Sequence, residues 1–325
     1  MEVFSIQKAE NNVIFVRLGH FSGPKSVRCQ NKSVYLYPRK PLIRKALISR
    51  CYLEITNVCN LSCVFCPKNE RPRRWLSLAE FDQLTERLRG QVQFLYFHLM
   101  GEPMLHDELS EMIAMARDKG FVPVLTTNGT LLHRGLRTLP HKLQISLHSH
   151  EGNTRHTSLE DYVREVMTTA LDASARGCIV VLRLWNQGGF DSQNQALLDL
   201  VASYAPRPWT QRYDGWKLGE RLYVEYDQMF EWPDTGHALT GEDEVFCYAL
   251  RNQIGVLVDG TVVPCCLDHE GAVPLGNLYS QDLDEILASP RARALYEGFS
   301  HHQATEDLCR RCDYAAVTKR FRKNQ

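Results

Sequence analysis

The stretch CNLSCVFCPKN places three cysteines, Cys59, Cys63 and Cys66, within eight residues. It follows directly after CYLEIT, a segment whose composition is typical of a β-strand. The spacing is too short for three ligands on one helix face and too regular for ordinary core packing. We therefore expect this stretch to form a loop wrapped around a bound group.

Composition limits the kind of protein that carries this loop. The chain has 325 residues, and its 38 basic residues balance 38 acidic ones. This balance gives no reason to expect nucleic acid or an anionic membrane as a partner. The N-terminal segment MEVFSIQKAENN lacks the regions of a signal peptide, and no apolar run is long enough to span a membrane. We therefore predict a cytoplasmic protein.

The cysteine content indicates metal ligands. The chain has 11 cysteines, and because the cytosol keeps thiols reduced, spaced cysteines there indicate metal ligands or nucleophiles rather than disulfides. Soft sulfur ligands select an iron-sulfur cluster, zinc or copper(I). Three thiolates can hold three corners of a four-iron cube and leave one iron open. A structural zinc would need a fourth ligand, such as Cys51 or His98.

The rest of the chain alternates between strand-like and helix-like segments. The predicted strands after residue 50 are CYLEIT, VQFLYFHLM, FVPVLTT, LQISLHS, CIVVLRLW and ERLYVEYD. The predicted helices are LSLAEFDQLTERLRG, DELSEMIAMARDKG, LEDYVREVMTTALDASARG and SQNQALLDLVASYA, with a poorly defined helical stretch near 131–140. This alternation predicts an α/β fold with a parallel sheet, open or partly closed into a barrel, and reactive groups at the carboxyl ends of the strands.

Three regions are expected in the chain. Residues 1–49 contain three short predicted strands, VFSI, VIFVRL and SVYLYP, to which we assign no function. Residues 50–230 contain the repeated strand-helix units. A stretch rich in Pro, Gly, Asp and Glu then leads to a second, cysteine-bearing unit, residues 231–325.

The cysteine loop, with Phe65 just before its last cysteine, resembles the signature of the radical S-adenosylmethionine (SAM) enzymes. The resemblance implies that residues 50–230 form a partial (β/α)6 barrel similar to a TIM barrel. It also implies that Cys59, Cys63 and Cys66 hold a [4Fe-4S] cluster whose fourth iron binds SAM. In this family, reduction of the cluster cleaves SAM, and the released 5′-deoxyadenosyl radical takes a hydrogen atom from the substrate.

Further positions match segments that bind SAM in this family, and with Phe65 they are the predicted SAM contacts. In HLMGEPMLH, Gly101 and Glu102 resemble the family's glycine-glutamate motif, although a methionine replaces the first glycine. A plain strand-to-helix turn is the alternative there. Ser146 matches a fourth-strand serine that contacts the SAM ribose or carboxylate. Arg183 interrupts an apolar strand and, when buried, needs a negative partner, either the SAM carboxylate or an acidic side chain.

A second cysteine group, comprising Cys247, Cys265, Cys309 and Cys312, lies in the last quarter of the chain. Its spacing resembles the auxiliary-cluster region called SPASM in its full form and Twitch in its shortened form. The full form needs more cysteines than follow LCRRC, so the resemblance implies one auxiliary [4Fe-4S] cluster on these four thiolates. A structural zinc on the same thiolates is the alternative. Cys266, next to a predicted ligand, could exchange with it.

The two resemblances together predict an oxidoreductase or a maturase. It would abstract hydrogen from a small polar metabolite or a peptide, with the auxiliary cluster assisting a net oxidation or bond formation. A flavodoxin- or ferredoxin-like protein is the expected electron donor. Three alternatives stay open: an epimerase with Cys51, Cys178 or Cys266 as hydrogen donor, an iron-sulfur electron carrier without catalysis, and a zinc-stabilised binding protein that contacts RNA.

Overall fold

The structure, a computed structural model, covers most of the chain after residue 47. It describes residues 48–67, 69–153, 158–236, 238 and 245–315 and, before them, the backbone of four strands. The chain divides into two compact units, Met1–Ala46 and Leu47–Gln325.

The first unit contains two antiparallel hairpins. One joins β1 (Ile6–Ala9) to β2 (Val13–Val16), and the other joins β3 (Lys25–Cys29) to β4 (Lys32–Leu36). Strands β2 and β4 coincide with the predicted strands VIFVRL and SVYLYP, whereas most of VFSI lies outside the described residues. The sequence did not indicate β3, because KSVRC contains only one strongly apolar β-former.

The second unit is built on one sheet of eleven strands. In chain order they are β5 (Ile48–Leu53), β6 (Val92–Tyr96), β7 (Val122–Thr127), β8 (Lys142–Ser146), β9 (Ile179–Gln187), β10 (Thr210–Arg212), β11 (Gly215–Lys217), β12 (Leu222–Gln228), β13 (Gln253–Val256), β14 (Thr261–Val263) and β15 (Gly276–Asn277). In space the order is β10-β11-β12-β9-β8-β7-β6-β5-β13-β14-β15.

Strand direction within this sheet confirms the predicted α/β class. The seven strands from β12 to β13 run parallel, and the two outer strands at each end are antiparallel. An open parallel sheet with helical crossovers is consistent with the predicted partial barrel. Because parallel strands end at one edge, the loops that follow them share that edge.

Helices connect the parallel strands and continue after the last one. They are α1 (Leu78–Leu88), α2 (Leu109–Asp118), α3 (Leu159–Ala175), α4 (Asn194–Tyr204), α5 (Leu283–Leu287), α6 (Pro290–Ser300) and α7 (Asp307–Arg310). Three 3-10 turns occupy Pro103–Leu105, Leu132–Arg134 and Leu147–Ser149. The helix predicted near 131–140 is therefore wrong, since Gly135, with φ of 71°, ends the turn after three residues.

The alternation predicted for LQISLHS separates the two faces of β8. Leu143 and Ile145 are fully buried in the hydrophobic core, which also contains the apolar face of α3. On the opposite face, Gln144 Oε1 accepts a hydrogen bond from Thr126 Oγ1 of β7 at 3.1 Å. The apolar face therefore packs on helices, and the polar face lies on the opposite side of the sheet.

The cysteine-bearing C-terminal region shares the same sheet. Strand β13 pairs in parallel with β5, and β14 and β15 extend it in antiparallel fashion. The predicted boundary near residue 230 stays a prediction, because the region beyond it adds strands to the sheet of the preceding region.

No helix among the described residues is both long enough and apolar enough to cross a membrane.

The start of α1 offers a test of local stability. Glu80 N donates a hydrogen bond to Ser77 Oγ at 3.2 Å, and Ser77 N donates to the Glu80 carboxylate at 2.9 Å, which forms a capping box. Ser77→Ala is expected to lower the free energy of unfolding by about 1 kcal/mol in urea titrations. Ser77→Thr keeps the hydroxyl and should lose much less. Equal losses would contradict a capping role.

Candidate active site and auxiliary cluster site

The loop with the first three cysteines begins at the carboxyl end of β5. Cys66 N donates a hydrogen bond to Cys63 O at 3.1 Å, which closes a tight turn. Beyond the loop the chain returns to its starting point, where Leu76 N donates to Ile55 O at 2.9 Å. The loop is therefore held at both ends.

The loop after β8 holds the middle of the cysteine loop. Ser62 N donates to Asn153 Oδ1 at 3.1 Å, and Val64 N donates to Gly152 O at 3.1 Å. Asn153 Nδ2 in turn donates to Cys63 Sγ at 2.7 Å. No local signal in the sequence marks Gly152 and Asn153, because only the folded chain brings them to a loop about 90 residues earlier.

Phe65 lies in a pocket formed by the same loop. A Cβ atom at Gly152 would come within 2.3 Å of the Phe65 ring, so only glycine leaves room for it. The ring also lies 5.2 Å from the His148 ring and 6.4 Å from the Phe190 ring, between centroids. These contacts fix the ring beside Cys66, and its contact with SAM stays a prediction.

Glu102 is buried at the carboxyl end of β6, only 2% exposed. Its Oε1 accepts hydrogen bonds from Met104 N at 2.9 Å and Thr127 Oγ1 at 2.8 Å, and its Oε2 accepts one from Asn128 N at 2.7 Å. Burial raises the pKa of Glu102 to about 7, although these hydrogen bonds oppose the shift. Because a carboxylate has about four acceptor positions, one remains for a ligand.

Gly101 brings the β6 loop against the cysteine loop. It has φ of 79°, and an added Cβ would lie 2.3 Å from Thr56 O and 2.9 Å from Val58 O. The next residue completes the contact, since Glu102 N donates to Val58 O at 2.8 Å. Glycine is required here by the backbone of the cysteine loop, whereas the sequence had suggested a close approach to a ligand.

Ser146 and Arg183 are neighbours on β8 and β9, paired in register. Arg183 is 9% exposed, and its guanidinium lies 3.3 Å from the centroid of the Trp185 ring. Burial lowers its pKa to about 10. Within the described part of the chain, no carboxylate forms an ion pair with Arg183, and its Nε has no hydrogen-bond partner. Glu225, its register partner on β12, and Asp227 are acidic electrostatic neighbours, so the SAM carboxylate and an acidic side chain both stay open as the predicted partner.

The surroundings of the three thiols suit an iron-sulfur cluster. Burial raises the pKa of Cys59 to about 11 and that of Cys66 to about 12, and the neighbouring thiols add to these shifts. Amide groups supply donors to the sulfur atoms: Leu61 N and Asn128 Nδ2 lie 3.4 and 3.9 Å from Cys59 Sγ. Thiolates this close together repel one another and need a positive centre to compensate them. The donor set therefore fits the cluster that the motif implies.

The zinc alternative for this loop lacks its fourth ligand. Cys51 is fully buried in the hydrophobic core, and His98 packs edge-on against Tyr52 with ring centroids 5.7 Å apart. Neither is among the electrostatic neighbours of the three thiols. Across the described ranges, no three His, Cys, Asp or Glu side chains are spaced for a single metal ion. A cube places each thiolate on a different iron, so it needs a wider arrangement.

The four predicted auxiliary ligands also come together. Cys247, Cys309 and Cys312 are all electrostatic neighbours of Cys265, whose pKa lies well above its usual value because of burial. All four pack against the hydrophobic core. The fold thus gathers residues up to 65 positions apart in sequence around one point, as a shared cluster requires.

Cys266 is also an electrostatic neighbour of Cys265, but it has further neighbours outside this group. The Tyr52 hydroxyl hydrogen-bonds to its thiol, and Arg183 and Arg50 are further electrostatic neighbours. Tyr52 lies on β5 and stacks on Tyr96 of β6 with ring centroids 4.6 Å apart. Cys266 therefore lies beside the side chains of Tyr52 and Arg183, and the backbone at Cys265 and Cys266 forms a bend and a turn rather than the extended conformation expected from the sequence.

A cavity of about 720 Å³ opens beside the cysteine loop. Its walls come from that loop, from residues 229–235 and from residues 268–272. The aromatic side chains in these walls are Phe65, Phe190, Phe230 and Trp232, and the acidic ones are Glu70, Glu231, Asp234, Asp268 and Glu270. Among the described residues that line it, none is Lys or Arg.

Comparison with known families identifies the class of protein. Residues 53–191 match the radical SAM superfamily, and residues 247–313 match SPASM, an iron-sulfur cluster-binding domain. The chain therefore belongs to the radical SAM enzymes and carries a SPASM domain. These domains bind a [4Fe-4S] cluster with SAM and an auxiliary iron-sulfur cluster, so the two non-catalytic alternatives are set aside.

Among curated proteins, an S-adenosyl-L-methionine-dependent 2-deoxy-scyllo-inosamine dehydrogenase of Niallia circulans is 24% identical over 288 residues. The match covers 83% of this chain and 95% of the dehydrogenase. The chain spans only about a quarter of the length of the first curated relatives that it matches.

Two solved structures share the fold. BtrN in complex with AdoMet and 2-DOIA has a TM-score of 0.51 at 17% identity, covering 83% of this chain and 95% of BtrN. Streptococcus suis SuiB bound to the precursor peptide SuiA has a TM-score of 0.52 at 12% identity, covering 85% of this chain and 72% of SuiB. At these identities the similarity concerns the fold alone.

The close approach at Gly101 leads to a prediction about stability. Gly101→Ala is expected to lower the free energy of unfolding by more than about 2 kcal/mol in urea titrations, because backbone strain and a collision with Thr56 O add together. Gly120→Ala is the matched control: φ there is 88°, but nothing lies within 4 Å of the added Cβ. It should lose only about 1 kcal/mol. Equal losses would show that the contact between the two loops is energetically unimportant.

Proposed function

We propose that the protein is a SAM-dependent oxidoreductase that removes hydrogen from an unactivated C–H bond of a small polar molecule. The observation that carries this proposal is the arrangement at the sheet edge, where Cys59, Cys63 and Cys66 lie beside Glu102. When bound, the first cluster with SAM would supply the radical that abstracts hydrogen, and the auxiliary cluster would supply an acceptor for the electron left on the substrate.

The residues of the cysteine loop would bind the first cluster. Cys59, Cys63 and Cys66 would ligate three irons as thiolates, and the side-chain amides of Asn128 and Asn153 donate to two of these sulfur atoms. Such donors stabilise the charged form of sulfur and tune the cluster. Because the loop is held at both ends, these residues need little rearrangement to bind it.

The residues around the loop would bind SAM. Glu102 has one acceptor position left, and a charge-assisted hydrogen bond from the SAM ammonium group would fill it. Arg183 would pair with the SAM carboxylate, which would offset the desolvation of its buried charge. Ser146 lies in register beside Arg183. Together with Phe65 it would complete the SAM site.

The cavity beside the cysteine loop favours a small polar substrate. Its volume of about 720 Å³ is in the usual range for sites that take small molecules. Exposed carboxylates such as Glu231 and Asp234 suit amino and hydroxyl groups. The Niallia circulans relative is named as a dehydrogenase of 2-deoxy-scyllo-inosamine, which carries such groups. A peptide substrate, as in the SuiB complex, is the alternative.

Reduction of the first cluster requires an electron donor, for which we propose a flavodoxin- or ferredoxin-like protein. The basic segment ERPRRW is one candidate docking surface. Within it, Arg71 and Arg74 form ion pairs with Glu54 and Glu80, so these two are engaged inside the chain. The cytoplasmic location stays a prediction.

Two cysteine variants test the roles of the two clusters. In anaerobically reconstituted protein with dithionite, Cys63→Ala should reduce formation of 5′-deoxyadenosine by more than about a hundredfold, since even groups that only orient a metal ligand contribute ten- to a hundredfold. Cys309→Ala should retain this cleavage but lose oxidation of the substrate. Product formation is followed by mass spectrometry with 2-deoxy-scyllo-inosamine and with short peptides.

Wild-type protein that never forms 5′-deoxyadenosine would refute the proposed function. Full turnover in both variants would show that the assigned cysteines have other roles. Oxidation of a peptide but not of the aminocyclitol would replace the small-molecule substrate with the alternative.

An epimerase is the second candidate, favoured by the position of Cys266. Of the three possible hydrogen donors, Cys51 and Cys178 are 0% and 3% exposed in the hydrophobic core. Cys266 instead is partly exposed, next to Tyr52 and Arg183. Its thiol would return a hydrogen atom to the substrate radical and become a thiyl radical, which an electron from the auxiliary cluster and a proton from solvent would convert back to the thiol.

Solvent deuterium distinguishes an epimerase from an oxidase. An epimerase that uses the Cys266 thiol would place one deuterium in the product in D2O, because the thiol proton exchanges with solvent. Cys266→Ser should abolish this incorporation while 5′-deoxyadenosine still forms, and Cys178→Ala is the control. A product formed in D2O in which mass spectrometry detects no deuterium would exclude the epimerase.

A further inference from the structure

Glu54 is a fully buried carboxylate immediately after β5. Its Oε1 accepts hydrogen bonds from Arg71 Nη2 at 2.7 Å and from Met100 N at 3.2 Å. Its Oε2 accepts from Arg71 Nη1 at 2.8 Å and from Val258 N at 2.9 Å. All of its roughly four acceptor positions are therefore occupied by groups of the protein.

The donors belong to three separate functional segments. Arg71 lies on the returning arm of the cysteine loop, five residues after Cys66. Met100 precedes Gly101 and Glu102 in the turn after β6. Val258 lies just beyond β13, on the chain that leads to Cys265. One carboxylate thus contacts the first cluster loop, the predicted SAM turn and the auxiliary region.

Only a carboxylate meets all these requirements. Arg71 donates from two nitrogen atoms at once, and a buried guanidinium without its partner would be strongly unfavourable. The two backbone N–H groups approach different oxygen atoms of Glu54. A glutamine would present its NH2 group to one of them, placing two donors against each other.

We propose that Glu54, through its pair with Arg71, is a positioning residue that fixes the cysteine loop, the Gly101–Glu102 turn and the auxiliary region relative to one another. This inference rests on the proposed function, in which the two cluster sites serve one reaction. Glu54 has no chemical step in this proposal, because its side chain is fully buried and does not line the cavity. Its effect is to hold three ligand-bearing segments in one fixed arrangement.

The test compares Glu54→Gln with a matched control, Glu306→Gln. Glu306 also forms a bidentate pair, with Arg291 Nε and Nη2 at 2.8 Å each, but its side chain is 21% exposed, and it hydrogen-bonds to neither the cysteine loop nor Val258. Hydrogen exchange of anaerobically reconstituted protein is the first measurement. Glu54→Gln should reduce protection by about tenfold or more in residues 58–74 and in residues 258–268 together, because local opening frees both segments. Glu306→Gln should leave them unchanged.

A second measurement reports on the first cluster itself. The electron paramagnetic resonance spectrum of the reduced wild-type cluster should change when SAM is added. In Glu54→Gln this change should be weaker, and the KM for SAM in the formation of 5′-deoxyadenosine should rise more than kcat falls. A residue that contributed only to global stability would leave both values unchanged in the folded fraction.

The double variant Glu54→Gln/Arg71→Met removes the unpaired charge and keeps the test decisive if Glu54→Gln fails to fold. Its urea midpoint should recover towards wild type, while protection of the two segments and the response to SAM stay reduced. The proposal would be overturned if the double variant recovered its urea midpoint, its protection and its response to SAM together. It would also be overturned if Glu54→Gln lost protection uniformly along the chain, or if Glu306→Gln showed the same local loss. Wild-type protein that does not cleave SAM would refute the proposed function, yet the exchange results would still decide the role of Glu54.

Discussion

The position of β5 between β6 and β13 is the constraint on which the rest of the structure depends. It is hydrogen-bonded in parallel to β6 on one side and to β13 on the other. Because parallel strands end at one edge, the cysteine loop after β5 must meet the loops after β6, β7 and β8. Because β13 belongs to the C-terminal region, the same strand also brings the auxiliary cysteines close to the first site.

Burial of polar groups defines the character of that edge. Glu102, Asn128 and Asn153 are hydrogen-bonded to neighbouring loops, which holds the cysteine loop in one conformation. Arg183 is the exception, since its charge is buried and no carboxylate in the described ranges pairs with it. A protein keeps such a charge where a ligand compensates it. Arg183 therefore stays a predicted contact for a negatively charged ligand, with Glu225 and Asp227 as its acidic neighbours within the chain.

Periodicity predicted most of the elements that carry the site. The strands from β5 to β9 and the helices from α1 to α4 were predicted within a few residues, because each has a continuous apolar face. The prediction failed where local preference lacked tertiary support: residues 131–140 form only a short turn, and the hairpin β10–β11 has no apolar run to indicate it. The pairing of Arg71, in the basic segment at 70–75, with buried Glu54 also has no signal in the local sequence.

The sequence by itself determined the class of chemistry, because the number and spacing of Cys59, Cys63 and Cys66 limit what three sulfur atoms in one loop can bind. Only the tertiary structure decided which side chains support that loop. Asn153 and Gly152 contact it from the loop after β8, and Glu54 links it to Val258, 204 residues later. Ligand spacing is a local property of the chain, whereas these contacts depend on strand order and register, which arise only when the whole sheet has formed.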